Sequence, residues 1–233
     1  MTNGPVKDMN FQNFFASIQA TVIKVITDPI GFFRYMQRGG GYVEPLLFMV
    51  VMGVISGILQ TILNLVGLGP AGAMLALGTS IILVPIMVVL FSFIGAGIVF
   101  VIWKLLGSHQ SYECAYRCIA YAGAISPITT VLNMIPYVGP LIGIGWMTFL
   151  MVAASVEVHE VQPKMAWIVF GILAGVLALG SVSSQLTARK YARELDKLGK
   201  EMGKIDQMAP EEAGKKMGEF LKGMQEGMGK KGQ

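Results

Sequence analysis

The chain is short of charge. Of its 233 residues only 14% are Asp, Glu, Lys or Arg, against roughly 25% in a soluble domain. The shortage is uneven: no charged residue occurs from Pro45 to Trp103, and none from Met165 to Ala188. A helix on a soluble protein needs a polar outer face, and runs this long supply none. Cysteine and histidine are scarce as well, at two each. Two thiols, Cys114 and Cys118, exclude a disulfide-framed secreted scaffold, and no cluster has structural-zinc spacing. No basic stripe is interleaved with aromatics outside the apolar runs, which argues against nucleic acid as a partner.

What is abundant is apolar residue, 54% of the chain, arranged in five segments that each approach or exceed the ~20 residues a helix needs to cross a bilayer. They run from Pro45 to about Leu68, Ala71 to Trp103, Tyr116 to Met134, Val138 to about Ser155, and Met165 to about Leu186. The second is longer than one crossing requires and contains Pro85, so it is either one kinked helix or two spans. Ile135-Pro136-Tyr137-Val138-Gly139-Pro140 reads as a tight turn between the third and fourth. The expected fold is all-α: a polytopic integral membrane protein of about five transmembrane helices.

Residues 1–44 precede the spans. Met1 to Asn10 has no compact apolar stretch ending at a small-residue cleavage site, so no secretory leader is expected. Phe11, Phe14, Phe15, Ile18, Val22, Val25 and Ile26 form the stripe of an amphipathic helix. Asp28-Pro29 is an N-cap followed by a first-turn proline, predicting a new short helix. Its Phe32, Phe33 and Tyr35 beside Arg34 and Arg38 suit a membrane interface. Gly39-Gly40-Gly41 then breaks the chain. Residues 45–186 form the spanning domain, and residues 187–233 a charged, Met-rich helical tail. Glycines from 199 to 227 weaken that tail and leave it partly flexible. Tyr191, Leu195, Leu198, Met202 and Ile205 make a short heptad seam through which it could self-associate or bind a protein.

Positive residues near span ends favour the cytoplasm. Lys24, Arg34, Arg38, Lys104, Arg117 and Lys164 fall on the N-terminal side. Arg189, Lys190, Arg193, Lys197, Lys200 and Lys204 follow the last span and balance them. The expectation is a cytoplasmic N-terminus in a prokaryotic cytoplasmic membrane, with five spans placing the tail outside.

Candidate functional groups are few. Gly53/Gly57, Gly139/Gly143 and Gly171/Gly175 are pairs four apart that would let helix backbones approach closely. Gln60 and Asn64 share a face of the first span, and Asn133, Thr129 and Ser126 offer polar groups in the third; helix adhesion or a solute pathway would both use them. No ionisable residue is expected mid-span. His159-Glu160 opens like a zinc-protease motif, but Pro163 stands where the second His is required. Glu157, His159 and Glu160 are therefore read as a solvated loop. Cys114 and Cys118 are read as small buried thiols, with metal binding or acylation as the other options. No catalytic constellation, cofactor site or metal site is expected.

From Ser111-Tyr112-Glu113-Cys114-Ala115-Tyr116-Arg117-Cys118 through Pro127, Pro136-Tyr137-Val138-Gly139, Trp146, Glu157-Val158-His159 and Gln162-Pro163-Lys164, the chain resembles the Yip family (Yip-one domain, Ypt/Rab-interacting membrane proteins) in its bacterial and archaeal branch. Asp28-Pro29-Ile30-Gly31-Phe32-Phe33-Arg34 and Pro45-Leu46 are similar too. The resemblance implies five spans and a cytosolic N-terminus. Eukaryotic relatives bind prenylated Rab GTPases and carry an acidic–aromatic–Gly–Pro motif before the first span; this chain lacks it, so Rab binding is not carried over. The resulting expectation is a non-enzymatic scaffold that organises membrane or recruits a partner. The alternative is a transporter or channel for a small uncharged solute.

Overall fold

The computed structural model describes residues 11–66 and 79–206, together with Gly218. Every regular element among the described residues is helical. The chain divides into two compact units, Met1–Val182 and Ser183–Gln233.

In the first unit, α1 (Phe11–Thr27) buries Ile18 and Val25 and half-buries Val22, one face of a 3.6-residue helix. Asp28 caps α2 (Pro29–Tyr35) as its sequence predicts, its carboxylate accepting the Gly31 N–H at 2.9 Å. Phe33 and Met36 enter the same core. The amphipathic entry segment is thus packed into the helical body, and its buried face joins the core of the spans. The side chains of Phe11 and Phe14 lie outside the described residues.

α3 (Val43–Leu65) and α4 (Thr79–Leu105) are each long enough to cross a bilayer. Pro85 sits inside α4 without ending it, so the described part of the second segment is one helix, with residues 71–78 outside the description. Gly53 packs on that proline: a Cβ at Gly53 would lie 2.9 Å from the Pro85 Cα. A Cβ that near to backbone would push α3 and α4 apart, so the glycine permits this close approach.

The third segment is different. α5 (Tyr112–Ala122), a 3-10 turn (Gly123–Ile125) and α6 (Ser126–Leu132) follow one another without a loop. Pro127 explains the break, since it has no N–H to give the carbonyl four residues back and its ring crowds that carbonyl; the chain tightens to three-residue bonding just before it. Among the described residues, four uninterrupted helices are therefore long and apolar enough to cross a membrane, and the third of the five expected segments is a broken helix. At its far end Val138 N–H bonds back to Pro136 O at 2.8 Å, a γ-turn with Tyr137 at φ 65°. Gly139 completes the turn, because a Cβ there would collide with the Leu132 carbonyl.

α7 (Val138–Glu157) returns to the end of the unit where α2 lies, and α8 (Pro163–Asp206) starts after a short loop. Exposed Ile55, Ile58, Ile62, Ile94, Ile98, Ile168 and Ile172 give α3, α4 and α8 apolar outer faces, the surface that bilayer lipid covers. The second unit is described only as helix, to Asp206, with Tyr191 and Leu195 exposed and a Lys200–Asp196 pair at 2.7 Å along one face. The side chains of Leu198, Met202 and Ile205, and nearly all of the tail beyond Asp206, lie outside the described residues.

Candidate functional site

The ion pairs of the first unit and its buried Ser108, Arg117, Ser155 and His159 gather at one end, where the 36–42 linker, the 106–111 loop and the 158–162 loop meet. Arg117 organises the first part. It is not a loop charge, as the count of positive residues near span ends assumes, but lies within α5 with its side chain 2% exposed. Its Nε donates to Gln37 O at 2.9 Å and its Nη1 to Gly41 O at 3.0 Å. Its Nη2 reaches Glu44 Oε2 at 3.2 Å. Glu113 Oε1 accepts the Gly41 N–H at 2.6 Å. The linker follows this path because Gly40 and Gly41 adopt φ of 122° and 89°, which side-chain-bearing residues avoid.

A second set fastens α2 to the end of α7. Arg34 grips Glu157 with two parallel bonds, 2.9 and 3.1 Å, and Arg38 pairs with Glu160 at 3.1 Å. The fork geometry makes the first pair the more specific, and the carboxylate raises the Arg34 pKa further above its ordinary value.

Beneath them lies a buried cluster. Glu160 adopts φ 59°, turning the chain so that Val161 N–H reaches Ser155 O at 2.9 Å and His159 is carried inward. The imidazole stacks on Trp103, with ring centroids 3.6 Å apart and planes 18° from parallel. Trp103 Nε1 donates to Ser155 Oγ at 2.7 Å, which donates to Met151 O at 2.6 Å. Ser108 Oγ lies 2.8 Å from His159 Nδ1 and accepts the Gln110 N–H at 3.2 Å. The opposite nitrogen, Nε2, faces Cys118 Sγ at 3.9 Å. Cys114 is one turn earlier on α5, and the Cys114, Cys118 and His159 donor atoms all lie within 4.8 Å of one another. Burial first, then the charges of Arg38 and Lys104, push the imidazole pKa down to about 3, so the ring is neutral at neutral pH.

The Ser108–His159 contact has the length of a nucleophile–base pair. No carboxylate orients the imidazole among the described residues, however, and Ser108 and Cys118 are both buried. The loop 157–160, read from sequence as solvated, is thus divided: Glu160 is exposed, Glu157 is paired, and His159 is enclosed.

The remaining predicted groups are dispersed. Gln60 Nε2 donates to Asn64 Oδ1 at 2.9 Å. Asn133 is exposed at the C-cap of α6, its N–H bonded to Thr129 O, while Thr129 and Thr130 hydroxyls return to Ser126 O. Of the glycines, Gly53 abuts Pro85, Gly139 abuts Leu132, and Gly143 would bring a Cβ to 3.2 Å from Thr129 Cγ2. Gly57 is buried on α3. A Cβ at Gly171 or Gly175 would meet no atom within 4 Å, so this pair does not bring α8 close to another described helix.

The family model of the Yip1 domain matches residues 23–184. The chain belongs to the Yip1 domain family. No curated protein and no solved structure matches it significantly. The Yip1 match begins inside α1 and stops before the charged tail, so it takes in α2, the linker, all five apolar segments and the Cys/His cluster.

What sequence reasoning missed at this site is the company His159 keeps. The signal lies in topology: the loops after the second and fourth segments fall on one side, which places His159 beside the start of α5. Arg117 was discoverable through the helical register it shares with Cys114 and Tyr121, three and four residues away.

Proposed function

We propose that this Yip1-family membrane protein is a non-enzymatic scaffold, organising membrane or recruiting a partner, with its N-terminus on the cytoplasmic side of a prokaryotic cytoplasmic membrane. The observation that carries this reading is the use of the polar groups at the N-terminal end. Arg117, Glu113, Arg34, Glu157, Arg38 and Glu160 are spent fastening α2 and the linker to the helical body, and the nucleophiles beneath are enclosed. That supports a rigid platform over a reaction centre. Gln60 and Asn64 bond to each other, which lends little to the solute-pathway alternative.

Partner recruitment is assigned to the tail, residues 187–233. The test is in-cell crosslinking of the full chain against a chain lacking those residues, with membrane extraction as the insertion control. Loss of the crosslinked species with unchanged insertion is the expected result; an unchanged crosslinking pattern refutes the tail's role. Reporter fusions at Gln233 check the accompanying topology, with activity expected only from the extracytoplasmic reporter.

A further inference from the structure

We propose that Cys114, Cys118 and His159 form a binding site for one soft, thiolate-seeking metal ion of the Cu(I) or Zn(II) class.

The donor set is the first argument. Two thiolates and an imidazole suit Cu(I) and Zn(II) and do not suit the oxygen-seeking cations. Placement is the second. Cys114 and Cys118 stand one turn apart on the same face of α5, and His159 comes to them from a loop 41 residues beyond Cys118. The three donor atoms lie within 4.8 Å of one another. Metal–sulfur bonds of about 2.3 Å and metal–nitrogen bonds of about 2.0 Å hold donors roughly 3.5–4 Å apart, so small side-chain rotations close the site.

The surroundings are the third argument. His159 is oriented as metal-bound histidines are, with one nitrogen toward the site and the other held by a partner. Here Nδ1 meets Ser108 Oγ at 2.8 Å, and Trp103 fixes the ring plane. With Nε2 bound to metal, Nδ1 keeps its proton and donates it to Ser108. The left-handed Glu160, a conformation that non-glycine residues avoid, is what turns His159 inward. Two thiolates and a neutral imidazole carry a charge of −2, which a divalent ion cancels in the buried site.

A disulfide does not account for the cysteines. Residues four apart on a helix hold their Cβ atoms about 5–6 Å apart, beyond the ~3.5–4.5 Å a disulfide spans.

The experiment uses the full chain, reduced, stripped of metal and held in nanodiscs, titrated with Cd(II) as the optical probe. Cys114 and Cys118 are the only cysteines of the sequence, so a thiolate-to-cadmium absorption band reports this site alone. The expected result is a band saturating at one ion per chain. Cys118→Ser and His159→Asn should each weaken binding by about 100-fold or more, and Ser108→Ala, acting through His159, by about 10–100-fold. Competition with Zn(II) and Cu(I) then identifies the ion, retention of Zn(II) being expected because its charge cancels that of the donor set. Absence of a saturable band in the wild-type protein overturns the proposal whatever the variants do. So does a band that survives His159→Asn at full affinity.

Discussion

Replacing Arg117 by lysine tests how the linker is held. Arg117 serves Gln37 O, Gly41 O and Glu44 Oε2 from one planar fork. The Glu44 carboxylate is 67% exposed, and an exposed partner contributes at most about 1 kcal/mol. The larger share therefore rests on the two carbonyls. A lysine ammonium is a point donor and cannot span both, so Arg117→Lys forfeits one charge-assisted bond, about 2 kcal/mol. The loss is local, because the linker can open without unpacking the spans. Amide exchange at Gly41, whose N–H is bonded to Glu113, should accelerate about 30-fold at this free-energy cost. Arg117→Met should exceed that, and Glu44→Gln should change exchange less than about fivefold. Hydrogen exchange read by mass spectrometry in nanodiscs measures all three. If Glu44→Gln matches Arg117→Lys, the ion pair and not the carbonyl fork holds the linker, and the reasoning fails.

Gly139→Ala should destabilise the α6–α7 turn severely, since the new methyl meets the Leu132 carbonyl and backbone must move; a loss of folded yield in detergent that Gly145→Ala does not reproduce checks it, as Gly145 faces open space. Gly53→Val should part α3 from Pro85 at a cost of about 1–3 kcal/mol, seen as a lowered thermal midpoint, and an unchanged midpoint would mean that the contact is dispensable. Exchanging Arg34 and Glu157 should recover most of the docking of α2 lost in either single charge reversal, read by crosslinking between α2 and the end of α7. His159 gives the metal-free protein a pH dependence of definite sign: its folded pKa, about 3, lies below the unfolded value near 6.5. Acidification below about 6.5 therefore favours the unfolded chain, by about 2 kcal/mol at pH 5 relative to neutral pH, and His159→Asn should abolish that share.

The spans were legible because lipid imposes length and apolarity on every residue facing it, and those requirements are written locally. The cap on α2 was legible for the same reason: Asp28 and Gly31 are three residues apart. The interruption of the third segment was half legible, through Pro127, although a proline alone does not say whether a helix kinks or tightens. The polar end of the unit was not legible. Arg117 satisfies carbonyls some 76 to 80 residues earlier, and His159 meets Cys118 across 41 residues. Such pairings depend on how helices are arranged side by side, which hydropathy does not encode.

The Arg34–Glu157 bond joins residues 123 positions apart, and this separation sets a timetable. At a synthesis rate of about 5–20 residues per second, roughly 6–25 seconds elapse between the emergence of the two partners. Throughout that interval Phe33 of α2 has no α7 to lie beside. The amphipathic pattern that reads as an interfacial helix is then the form in which the segment waits on the lipid surface. Its arginines become ties between helices only when the fourth span has been delivered.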